Sequence, residues 1–143
     1  MRFLFGLAVM AFGVSIPAGA AMAQNIDCAN AQSTIEMNFC ADREYAAADA
    51  SLNEVYKQAL AAIAKSDGEK PYDPKSWETA LRASQRAWVA FRDADCKGLE
   101  PMQWSGGTGS TGGVLGCTTQ LTQERIRVLK ERFAEPEGPP RVP

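Results

Sequence analysis

Histidine is absent from all 143 residues, which removes every nucleophilic triad that depends on an imidazole base. Paired short cysteine spacings of the C-x-x-C kind are also missing. Without them, and without histidine, a structural zinc site has no ligand set. The chain has no long basic run, so it offers little to nucleic-acid phosphates, whose binding rests on clustered Lys and Arg. It shows no internal repeat and no strand-like alternation of any length. A glycine-rich stretch at residues 105–113 is present, but it lacks the following lysine and the upstream strand that a phosphate-cradling loop requires.

The N-terminus carries a recognisable instruction. Met1-Arg2 leads into an apolar stretch from Phe3 to Ile16, then small residues with Ala21 and Ala23 at the positions a signal peptidase reads. The apolar core is shorter than the roughly 20 residues a membrane-spanning helix needs, so residues 1–23 read as a signal peptide. No cysteine follows the small residues directly, which argues against lipid attachment there. Removal of the segment leaves 120 residues with 14 basic and 17 acidic side chains, a net charge of −3. One domain fits that length.

Cys28, Cys40, Cys96 and Cys117 all lie in the mature part. An oxidising compartment turns such an even count into two bridges. Three connectivities are open, and geometry ranks them. Along one straight helix Cys28 and Cys40 would stand about 18 Å apart, too far to bridge. Cys28 must therefore precede a helix and fold back onto it. The capping-box pattern at residues 33–36, Ser-Thr-Ile-Glu, starts that helix near Thr34. The favoured pairing is Cys28 with Cys40 and Cys96 with Cys117, each closing a local loop worth on the order of 3 kcal/mol.

No proline or glycine interrupts the chain from Thr34 to Ser66. Tyr45, Asp49, Leu52, Tyr56, Leu60 and Ile63 fall on one face at steps of three and four, which predicts a long amphipathic helix. Asp73-Pro74 predicts a second helix start. That helix runs to about Cys96, with Trp77, Leu81, Ser84, Trp88 and Phe91 inward and Gln85, Arg92 and Cys96 along the flank. Residues 97–116 read as a flexible glycine loop bracketed by Cys96 and Cys117. Thr118 or Thr119 then caps a third helix to about Ala134, bearing Thr122, Ile126, Leu129 and Phe133 on one face, with Arg125 beside them. Residues 135–143, with four prolines, read as a disordered tail. The expected fold is all-α: three main helices, a glycine-rich loop and two disulfides.

Asp49 stands inside an otherwise apolar stripe, and a buried carboxylate needs a partner. Arg92 and Arg125 are the candidates, and the expected role of the three is a structural ion pair. Glycoside hydrolysis needs only two carboxyl groups at a cleft, and Glu36, Asp42, Asp49, Asp93 and Asp95 are available. None sits in a recognisable motif, so no catalytic, cofactor or metal residue is assigned. Met102 and Trp104, with Gly106 and Gly107, are candidate partner contacts on the bracketed loop.

These residues also form a pattern. Cys28 through Glu36 to Cys40, Ala48-Asp49 with Leu52-Asn53 and Tyr56, Gln85-Arg86-Ala87-Trp88 with Phe91-Arg92-Asp93-Ala94 and Cys96, Gly106-Gly107, Cys117, Leu121-Thr122 and Arg125-Ile126 together resemble the lysozyme inhibitor LprI-like family. The resemblance spans Cys28 to about Phe133 and places an LprI-like helical domain at residues 24–134. It implies a secreted or periplasmic helical protein without a cofactor, not an enzyme. Its expected partner is lysozyme or another envelope protein, bound by protein–protein contact; a non-inhibitory structural or interaction role in the envelope is the alternative. Neither nucleic acid nor, once the signal is cleaved, membrane is expected as a partner.

Overall fold

The computed structural model describes residues 26–133. The expected signal segment 1–23 and tail 135–143 lie outside the described residues. The described chain is helical, in the order α1 (Thr34–Ala64), α2 (Pro74–Asp93), a π-helical segment (Ala94–Leu99), α3 (Glu100–Gln103) and α4 (Ser110–Phe133). The all-α bundle of three main helices read from the sequence is the architecture observed.

Local chemistry fixes the helix starts. Ser33 Oγ accepts a hydrogen bond from the Glu36 amide at 3.2 Å, and the Glu36 carboxylate accepts one from the Ser33 amide at 3.0 Å. This reciprocal box satisfies donors that the first turn leaves without partners. Asp73 caps α2 by accepting from the Ser76 amide at 3.0 Å, with Pro74 in the first turn.

α1 and α4 run parallel. Asn38 faces Gly112 near their starts, and Ala59 and Phe133 line one hollow near their ends. α2 runs antiparallel to both: Arg92, near its end, lies over Tyr45, and Trp77, near its start, meets Phe133 edge-on at 6.1 Å. The core consists of Leu52, Val55, Ala59, Ile63, Leu81 and Leu129, with Tyr56, Leu60, Trp88, Ile126 and Phe133 packed around it. Complete burial of a side chain such as Leu129 is worth about 1.5–3 kcal/mol.

Three sequence expectations are corrected here. The buried face of α1 is Cys40, Ala48, Leu52, Val55, Ala59 and Ile63; of the expected stripe Leu52 and Ile63 are core and Tyr56 and Leu60 pack against it, while Tyr45 and Asp49 are half-buried at its edge. On α2 the buried residues are Leu81 and Arg92, while Trp77 and Phe91 are about half exposed. The inner face of α2 thus keeps Leu81, with Trp88 packed against the core, and extends to the flank residue Arg92, the charge expected to pair with Asp49. Finally, α4 begins at Ser110. Thr118 and Thr119, expected at the cap, are buried inside the helix, and Thr118 donates back to the carbonyls of Val114 and Leu115.

Candidate functional site

Both disulfides form as expected, and both fasten the same end of the bundle. Cys28 meets Cys40 with a Cα separation of 5.6 Å, and Cys96 meets Cys117 at 5.4 Å. The first ties the chain entry to the second turn of α1. The second ties the π-helical segment after α2 to α4. Asp95 has a carboxylate oxygen within 4.8 Å of the Cys96 and Cys117 sulfurs, but those sulfurs are joined to each other and offer no thiolate to a metal.

The glycine stretch is folded, contrary to the flexible loop expected. After α3 the chain turns through Ser105 (φ 46°) and Gly106 (φ 74°), with the Gly107 amide donating to the Trp104 carbonyl at 2.7 Å. α4 then runs straight through Gly112, Gly113 and Gly116. A tertiary contact explains why. A Cβ on Gly109 would lie 2.2 Å from Cζ3 of Trp104, and one on Gly113 would lie 2.3 Å from its Nε1. The bare helix start is therefore a seat for the indole. Trp104 Nε1 donates to Glu100 at 3.1 Å, and the ring stays 44% exposed. Met102, two residues earlier, projects into solvent at 73% exposure. Gly106 and Gly107 form the turn that joins this pair to α4.

The expected ion pair takes a different form. The buried charge is Arg92, 6% exposed; Asp49 is its half-exposed partner, with Oδ1 3.8 Å from Nη1, and also accepts from Asn53 at 3.1 Å. Asp93 supplies the closer contact, accepting from Arg92 Nε and Nη2 at 3.0 Å each. Arg125 goes elsewhere, donating to Gln85 Oε1 at 3.0 Å and Ser84 Oγ at 3.1 Å. The antiparallel run of α2 accounts for this. Gln85 lies seven residues before Arg92, about 10 Å along the helix, so each arginine meets a different level of the bundle. Trp88 lies between them, with Arg92 Cζ 5.1 Å and Arg125 Cζ 5.8 Å from its ring; Tyr45 lies 5.8 Å from Arg92. Such contacts contribute about 0.5–2 kcal/mol each. Burial lowers the pKa of Arg125.

Partial burial works against the charge of Asp93, but hydrogen bonds from Lys97 and Arg92 outweigh it and lower its pKa. A glycosidase acid needs the opposite shift. Arg92 bridges α2 to α1 through Asp49 and Tyr45.

The family model described as lysozyme inhibitor LprI matches residues 27–129. The chain belongs to the lysozyme inhibitor LprI family. An uncharacterized protein of Rhizobium meliloti (strain 1021) is 37% identical over 115 residues, covering 78% of this chain and 82% of its own length. No solved structure matches. Of the residues that carry the LprI resemblance, Gln85, Trp88, Arg92 and Arg125 build the arginine–tryptophan stack, and Cys96 and Cys117 form the second bridge. Ile35 and Phe39, exposed at the pinned end, fall outside the apolar stripe of α1 and carry no sequence signal. The indole seat did have a sequence signal: Gly109 and Gly113 stand four apart, as do Glu100 and Trp104.

Proposed function

We propose that the mature protein acts outside the inner membrane, in the periplasm or after secretion, as a lysozyme inhibitor that works by non-covalent protein–protein contact. The family match over residues 27–129 carries this reading. The export signal in residues 1–23 and the two bridges, which suit an oxidising compartment, support the location. No helix among the described residues is long and apolar enough to cross a membrane. The seating of Trp104 on Gly109 and Gly113, with Met102 exposed two residues away, supports a contact role, since a preformed surface loses little conformational entropy on binding.

Purified mature protein mixed with lysozymes of several types should slow cell-wall clearance. Unchanged rates at micromolar excess would overturn the proposal, and a periplasmic pull-down that returned a partner other than lysozyme would point to the interaction role instead.

A further inference from the structure

Nine large hydrophobic side chains are exposed among the described residues, and six of them lie at one end of the bundle: Ile35, Met37, Phe39, Leu99, Met102 and Trp104. That end comprises the first turns of α1, the segment after α2, α3 and the first turns of α4, and it is the end that both bridges fasten. Exposed apolar surface gathered in one place marks an interaction site more often than chance exposure does.

The charge of the molecule is polarised along the same axis. Residues 26–45 and 92–117, which form the pinned end, carry seven carboxylates and three basic side chains. The rest of the described chain carries eight carboxylates and ten basic side chains. Two of the three bases at the pinned end are already engaged, Arg92 with Asp49 and Asp93, and Lys97 with Asp93. The third, Arg43, lies over the Phe39 ring at 5.9 Å. Asp42 and Glu44 are exposed, and neither they nor Asp95 form an ion pair among the described residues. The net −3 of the mature chain understates this field, because the two ends partly cancel.

We propose that this disulfide-pinned end, apolar at Ile35, Phe39, Leu99 and Met102 and bearing Asp42, Glu44 and Asp95, is the docking surface for a basic protein. The inference rests on the inhibitor reading and names the surface and partner charge it uses. Apolar side chains supply contact, while unpaired carboxylates steer a cationic partner toward them and reject an acidic one.

The test compares two charge reversals of equal size on α1 and α2. Asp42→Lys with Glu44→Lys alters the pinned end; Glu54→Lys with Glu78→Lys alters the remainder. Binding of a basic lysozyme is followed by stopped-flow at low and high salt, and helicity is checked by circular dichroism. The pinned-end pair should slow association at least tenfold at low salt and less than twofold at high salt. The control pair should stay within twofold, and Met102→Ser should speed dissociation about tenfold. Equal effects of both pairs, or a larger effect of the control, overturn the surface while leaving the inhibitor reading standing. If the wild type binds no lysozyme, that reading fails, and the surface is tested alone by NMR shift mapping with cytochrome c as a basic probe. Shifts confined to residues 34–45 and 93–117 sustain it. Shifts elsewhere, or none, overturn it.

Discussion

The Trp104 ring occupies the space that a side chain on Gly109 would need, with only 2.2 Å between the ring and a Cβ built there. Gly109→Ala should therefore displace the indole or strain α4, costing about 1–3 kcal/mol. Gly116 has nothing within 4 Å of its Cβ position, so Gly116→Ala should stabilise the helix by about 1 kcal/mol. Urea titrations of both variants check the contrast, and a red shift in tryptophan emission should accompany only the first. Equal midpoints would show that the seat is not tight.

Arg92 and Asp49 should respond unequally to removal. Arg92→Ala leaves Asp93 and Asp49 without their shared cation and opens a gap between Tyr45 and Trp88; the expected loss is about 3 kcal/mol. Asp49→Asn keeps the hydrogen-bonding shape at a half-exposed site and should cost about 0–1 kcal/mol. Thermal melts of the two variants decide it, and an Asp49 effect as large as that of Arg92 would contradict the assignment of the buried partner.

Acid should weaken the fold through a small set of carboxylates. Glu36 is lowered from an ordinary value of 4.5 by hydrogen bonds from the Ser33 and Gln32 amides and from the Ser33 hydroxyl. Asp73 is lowered from 3.8, chiefly by Ser76, and Asp93 is also lowered. A carboxyl that titrates lower in the folded chain than in the unfolded one stabilises above its unfolded pKa, and that contribution fades as pH falls through the folded value. Urea midpoints should be flat from neutrality to about pH 5 and then decline. Glu36→Gln should flatten the part of the decline that begins near 4.5. An identical pH profile for the variant would remove the capping box from the account.

Thr122 is completely buried, and its Oγ1 has no hydrogen-bond partner among the described residues. Thr122→Val keeps the shape and removes the unpaired hydroxyl, so it should raise stability by about 1 kcal/mol. A lower melting temperature for the variant would mean that the hydroxyl is satisfied after all.

The sequence was most informative where the determining interactions are local. Ser33 with Glu36, Asp73 with Pro74, and the Cys28–Cys40 loop are all decided within about a dozen residues, and each is found as expected. Helix faces were less legible. Tyr45, Trp77 and Phe91 look like core by size, yet Ala48 and Ala59 are buried because small side chains let helices touch. Arg92 is legible as a partner for Asp49, but not as the buried member of the pair, enclosed by Tyr45, Trp88 and Asp93. The glycines read as disorder because their reason for being glycine, the Trp104 ring, comes from the preceding segment and is placed by the tertiary fold.

The parallel course of α1 and α4 has a consequence for how the chain finds its shape. Asn38 and its neighbour Gly112 stand 74 residues apart in sequence, and the two helices that pack most extensively are also the farthest apart in the chain. Closing so long a loop is slow and entropically costly until intervening structure shortens it. α2, folded back along α1, is the element that shortens it. A chain emerging N-terminus first therefore exposes Leu52, Val55, Ala59 and Ile63 until the 24 residues of α4 arrive. Among the described residues the partner that covers this face comes last in the chain, so the core closes only once α4 has formed.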